Sequence, residues 1–91
     1  MTAVQREVRI DNQRGLHARA SAKFVTMASG LDASVEVEKD GHKVCGTSIM
    51  GLMMLGAAMG DTITILAHGF GAEQALEQLV ALVECRFQED E

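Results

Sequence analysis

Gly15-Leu16-His17-Ala18-Arg19-Ala20-Ser21-Ala22-Lys23-Phe24-Val25 is a loop turning into a helix. The residues before it, Asp11-Asn12-Gln13-Arg14-Gly15, are polar and end in glycine, which is loop composition. From Ala18 to about Ser29 the chain is rich in alanine, with Phe24, Val25, Ala28 and Leu31 at helical spacing. Gly30 stands where a C-terminal cap belongs. His17 therefore falls on the boundary between loop and helix.

Outward from this junction the pattern changes period. Val4, Val8 and Ile10 alternate with Gln5, Glu7 and Arg9, which predicts a strand with one apolar side. Ala33, Val35 and Val37 alternate with Ser34, Glu36 and Glu38 and predict a second strand. Asp40-Gly41 is a two-residue hairpin signal leading to a third strand through Val44. Thr62-Ile63-Thr64-Ile65-Leu66-Ala67 predicts a fourth, broken by Gly69-Phe70-Gly71. A last helix is expected from about Ala72 to Phe87, with Ala72, Ala75, Leu76, Leu79, Val80 and Val83 on one stripe. Between strands three and four, the run from Ile49 to Leu55 predicts a short helix capped by Ser48. The order is β-α-β-β-α-β-α. Each strand has one polar side, so the sheet is expected to be covered by helices on one face and open on the other.

The chain has 91 residues, 47% apolar and 23% charged, which predicts one globular domain over 1–91. A chain of this size buries roughly 60–70% of the surface its unfolded form exposes, enough for one core of two layers. The net charge of −5 argues against general nucleic-acid binding. The first 30 residues nevertheless carry Arg6, Arg9, Arg14, Arg19 and Lys23 against Glu7 and Asp11, so one end is expected to be locally basic. The residues from Met1 to Glu7 hold no apolar signal region, and Ile49 to Met59 is too short and too broken by Gly51 and Gly56 to span a bilayer. A cytoplasmic protein with no membrane insertion is expected. Cys45 and Cys85 form no metal-spaced pair, and His42 and His68, both expected to be solvated, complete no ligand pattern with His17. No metal or cofactor is expected. The run Gln88-Glu89-Asp90-Glu91 is expected to fray.

The start of the first helix has chemistry of its own. The backbone N–H groups of its first turn lack helical partners, and the helix dipole adds partial positive charge there. Such a terminus is an anion site worth ~0.3–2 kcal/mol. Imidazole offers a nitrogen lone pair at neutral pH, a competent nucleophile toward phosphorus. Arg19 adds a planar donor fork suited to phosphate oxygens. Gly15 allows the preceding loop to approach closely or to take a positive φ.

The run from Gly15 to Val25 closely resembles the active-site segment of the histidine-containing phosphocarrier protein, HPr, of the bacterial phosphoenolpyruvate-dependent phosphotransferase system. Thr47-Ser48-Ile49-Met50-Gly51-Leu52-Met53 resembles that family's regulatory-serine segment. Length, element order and the spacing of both segments match, so the resemblance covers essentially the whole chain. It implies an α+β open-faced β-sandwich, with a four-stranded antiparallel sheet under three helices. It implies that enzyme I phosphorylates His17 on Nδ1, that Arg19 contacts the phosphate, and that the group passes to a downstream acceptor of the EIIA type. The chain departs from the family at Ala20, where proline is usual, and at Thr26 and Ser29, where sugar-system members often carry basic residues. Alanine keeps the helix and adds a free donor, so the chemistry is expected to survive, whereas Thr26 and Ser29 point toward the nitrogen-type branch, whose phosphoryl flow ends on regulatory proteins.

Ile49 to Leu55 is apolar nearly all round, and a two-turn helix on a sheet cannot bury every face. Met50 and Met53, with Ile49 and with Ala20 of the first helix, are expected to form a partner-binding surface, since flexible methionines suit several partners. Ser48 is an expected N-cap, and the resemblance makes it a target of a regulatory serine kinase. A monomer is expected. The alternative function is a stoichiometric regulatory binding protein whose phosphorylation is only a switch. A free-standing enzyme is disfavoured, because no second base, metal site or nucleotide loop of the form G-x-x-x-x-G-K-[ST] is visible.

Overall fold

Alternating apolar residues and two glycine-flanked breaks become a four-stranded sheet with helices on one side. The computed structural model describes residues 3–89. The elements are β1 (Ala3–Arg9), α1 (Ala18–Ser29), β2 (Ser34–Lys39), β3 (His42–Cys45), α2 (Ile49–Met54), β4 (Thr62–His68) and α3 (Ala72–Glu84), followed by a one-turn segment, Arg86–Gln88. The strand order is β1-β4-β2-β3, and every pair is antiparallel. This is the expected α+β open-faced sandwich.

The register separates the two faces. On the covered face Val8 lies opposite Ile63, Val37 opposite Ile65 and Val35 opposite Ala67, and each of these side chains is buried. Phe24 of α1, Leu52 of α2 and Leu79 and Val83 of α3 complete the core against them. On the open face one cross-strand row runs Glu7, Thr64, Glu38, Lys43. Asp40 and Gly41 turn the β2–β3 hairpin with φ of 51° and 83°, the left-handed pair that an Asp-Gly turn supplies. Lys39 reaches Asp40 at 3.0 Å and Asp61 at 3.8 Å, tying this hairpin to the α2–β4 loop. The hydrogen bond from Lys39 to Asp40, with Coulomb attraction to both carboxylates, holds its ammonium above the ordinary lysine value despite some desolvation.

Three sequence expectations need adjusting. Gly30 does close α1, donating to the Met27 carbonyl at 3.1 Å, but at φ −85° it uses no glycine-specific conformation. His68 is the last residue of β4 rather than a loop residue, and it is half-buried; His42 is exposed. The last helix stops at Glu84, not Phe87. Arg86, Phe87 and Gln88 take φ of 60°, 55° and 62°, a left-handed turn built without glycine. Each such residue costs about 1–2 kcal/mol. The Phe87 ring is fully buried, a gain of about 1.5–3 kcal/mol that offsets part of this strain. Lys23 of α1 donates to the Phe87 carbonyl at 2.8 Å. No helix among the described residues is long and apolar enough to cross a membrane.

The loop ahead of α1 is braced by the α2–β4 loop. Ile10 donates to the Asp61 carbonyl and accepts from the Gly60 amide, both at 2.8 Å, and Leu16 donates to the Ala57 carbonyl at 2.9 Å. Gly15 sits at φ +62° so close to this loop that a Cβ would lie 2.2 Å from the Ala57 oxygen. Glycine is required there on both counts.

Candidate functional site

His17 is the N-cap of α1. Its backbone is extended, and its carbonyl accepts the first helical bond from Ser21 at 2.9 Å. The Ser21 hydroxyl, itself fully buried, donates back to the Leu16 carbonyl at 3.1 Å, which fixes the chain entering the helix. The imidazole replaces the usual capping oxygen: Nδ1 accepts the Arg19 backbone N–H at 3.2 Å. One ring nitrogen therefore presents its lone pair toward the amides at the helix start.

The other nitrogen faces a carboxylate. Glu89 Oε2 lies 2.5 Å from His17 Nε2, and the two side chains are 14% and 21% exposed. A carboxylate accepts and an Nε2–H donates, so this contact selects the tautomer in which Nε2 carries the proton and Nδ1 does not. Asn12 holds the second carboxylate oxygen: its Nδ2 donates to Glu89 Oε1 at 3.2 Å and to the Gly15 carbonyl at 2.8 Å. Asn12 is fully buried, and its Oδ1 has no hydrogen-bond partner among the described residues.

An open cleft of about 420 Å³ lies over this group, lined by Arg14, His17, Arg19, Lys23 and Glu89 among others. The locally basic end expected from sequence is thus partly assembled here, with Arg14, Arg19 and Lys23 around one imidazole. Among the described residues no ion pair engages the guanidinium of Arg14 or of Arg19. Arg6 and Arg9 are elsewhere, on β1, and Arg9 pairs with Asp11 at 2.8 Å. The arrangement can offer a nucleophilic nitrogen, helix-start amides and the guanidiniums of Arg14 and Arg19 to an anion.

The remaining candidates lie on α2, which packs beside α1 and β3. Ser48 caps it, accepting the Gly51 amide at 2.9 Å on its hydroxyl. Ile49 and Met53 are each 42% exposed, Met50 is 70% exposed and Met54 78%, while Leu52 is fully buried. Ala20 corrects the expected partner surface: it is fully buried on the core side of α1 and offers nothing to a partner. Its helical position, three residues after His17, turns it under the helix.

Sequence reading missed Glu89 and Asn12. Glu89 stands 72 positions from His17 in a polar run expected to fray. Gln88 and Glu89 are instead carried over the cleft by the left-handed turn; Asp90 and Glu91 of that run lie outside the described residues. Asn12 was read as loop composition, and nothing in the loop signalled its burial.

A family model described as the PTS HPr component phosphorylation site matches residues 4–85. The chain is 43% identical over 89 residues to a phosphocarrier protein NPr from Shewanella violacea, covering 98% of each. It is 42% identical over 88 residues to a phosphocarrier protein HPr from Cupriavidus necator, covering 97% of this chain and 99% of that one. Among solved structures, an HPr from Thermoanaerobacter tengcongensis superposes with a TM-score of 0.89 at 42% identity over the whole of both chains.

Proposed function

The chain belongs to the HPr family of phosphotransferase-system phosphocarriers, and we propose that it accepts a phosphoryl group from phosphorylated enzyme I on His17 Nδ1 and passes it to a downstream EIIA-type acceptor. The observation that carries this reading is the capping bond. Arg19 N–H to His17 Nδ1 marks Nδ1 as the unprotonated nitrogen at the start of a twelve-residue helix. As that lone pair attacks phosphorus, the capping bond yields and the freed amide faces the arriving oxygens. The Arg19 guanidinium takes up phosphate charge from the cleft wall. Binding of this kind is modest, which suits a carrier that must also release its cargo.

The exposed apolar side chains of Ile49, Met50 and Met53 form the docking surface for enzyme I and for the acceptor, and the protein acts as a cytoplasmic monomer. A serine kinase acting on Ser48 adds negative charge at the edge of that surface and weakens docking on an acidic partner. Similarity to an NPr-named relative, with Thr26 and Ser29 in place of basic residues, supports the nitrogen-type branch.

Incubation with phosphoenolpyruvate and enzyme I is expected to place an acid-labile, alkali-stable phosphate on the protein, and His17→Ala is expected to abolish it. A well-folded protein that takes no label ends this reading. The exposed methionines favour a second reading, a stoichiometric regulator for which phosphorylation is only a switch. The two separate on whether His17→Ala removes the downstream effect or leaves it intact.

A further inference from the structure

We propose that Glu89 is a positioning residue for phosphoryl transfer: its carboxylate holds His17 in the Nε2–H tautomer and balances the charge that the ring gains when Nδ1 is phosphorylated. The inference rests on the phosphocarrier reading of His17 and adds a second group to it.

Three observations support it. The contact is direct and largely shielded, 2.5 Å between Nε2 and Oε2 with both side chains mostly covered. The carboxylate is itself oriented, because buried Asn12 donates to its other oxygen at 3.2 Å while bonded to Gly15 in the loop that presents His17. The backbone delivering it is strained: three successive non-glycine residues, Arg86, Phe87 and Gln88, have positive φ. Such conformations persist where surrounding structure enforces them, and they gather at functional sites. Here the enforcement is visible, as Phe87 is buried beneath the turn and Lys23 holds its carbonyl at 2.8 Å. Had the helix continued from Glu84, residue 89 would be carried onward along the helix axis.

The chemistry follows from the tautomer. The Nδ1 lone pair attacks phosphorus, the Nδ1–P bond forms, and the bond from phosphorus to the donor's nitrogen breaks, its electron pair leaving with the donor. No proton has to depart from Nδ1. The Nε2 proton stays, so the ring becomes formally cationic, and the carboxylate already facing it requires no reorganisation. The alternative tautomer would put a proton on Nδ1 and block attack. Around metal-bound histidines, a partner that fixes ring orientation and tautomer commonly matters about 10- to 100-fold in activity, and a dependence of that order is expected for His17.

The test uses the full-length protein with 15N-labelled histidine and two variants, Glu89→Ala and Glu89→Gln. Nitrogen chemical shifts of His17 are read in the unphosphorylated protein. The single-turnover rate of phosphoryl acceptance from phosphorylated enzyme I is read alongside, with thermal unfolding to confirm the fold. The wild type is expected to show a protonated Nε2 and a pyridine-like Nδ1. In both variants that asymmetry is expected to shrink and the rate to fall about 10-fold or more. In Glu89→Gln the amide oxygen is held by Asn12, so its NH2 faces Nε2 and the loss is the larger of the two. Unchanged tautomer shifts overturn the proposal, as does an unchanged rate. Failure of the wild type itself to be labelled strikes instead at the phosphocarrier reading, and the nitrogen shifts still judge the tautomer.

Discussion

Lys23 donates its ammonium to the Phe87 carbonyl at 2.8 Å, fastening the turn that follows α3 to the helix that His17 opens. The bond spans 64 positions and joins the two segments that wall the cleft. Lys23→Met keeps the aliphatic stem and removes the donor. It is expected to lower stability by about 1 kcal/mol, the usual net worth of such a bond. Amide exchange should accelerate at Gln88 and Glu89 while the α1 core stays protected. Equal exchange in the two proteins would show that the ammonium does not hold the turn.

Gly15→Ala tests the brace beneath His17. The new Cβ meets the Ala57 oxygen and φ +62° disfavours any side chain, so the Leu16-to-Ala57 bond must open. A loss of about 2–4 kcal/mol is expected in urea unfolding, from backbone strain and an unsatisfied amide together. Gly41→Ala, at φ +83° with open space around it, is the contrast: it is expected to cost less, from φ alone.

Two α2 substitutions should separate packing from docking. Leu52→Ala empties a fully buried position and is expected to cost about 2–5 kcal/mol. Met54→Ala changes a side chain 78% exposed and is expected to move stability by no more than about 0.5 kcal/mol. Met50→Ala should leave stability equally untouched yet raise the KM for phosphorylation by enzyme I several-fold. An unaltered KM would remove Met50 from the docking surface.

Cys45 offers a pH-dependent readout. Its Sγ lies 3.0 Å from the Thr47 hydroxyl. That hydrogen bond, helped by the Thr47 backbone amide, favours the thiolate and outweighs desolvation and the opposing charge of Glu36, so the thiol titrates below its ordinary value. Because the shift is downward, the rate of iodoacetamide alkylation of Cys45 should begin to rise at lower pH than for a model cysteine. Thr47→Val should move that rise upward. A profile indifferent to the substitution would show that the hydroxyl does not set it.

Local rules carried most of the architecture. Period-two alternation placed the strands, and Asp40-Gly41 placed the hairpin, because each depends on neighbouring residues. Ser48 was legible as a cap for the same reason. His17 was legible as the residue that opens α1, and with Arg19 as a candidate site, because a helix start and its unpaired amides are properties of a few consecutive residues. Where the pattern was apolar all round, as in α2, spacing could not say which side chains face out. Packing against α1 and β3 decided that, burying Leu52 and leaving Met50 and Met54 exposed. Packing likewise buried Ala20, which was expected to share a partner-binding surface with the α2 side chains.

By itself, then, the amino-acid sequence determined the element order, the open-faced sheet and the imidazole at the head of α1. Tertiary structure alone decided which group that imidazole meets. The partner, Glu89, arrives through a left-handed turn that no glycine announces. Burial of Phe87 and the reach of Lys23 hold that turn, and both are interactions between residues distant in sequence, beyond the range of local patterning.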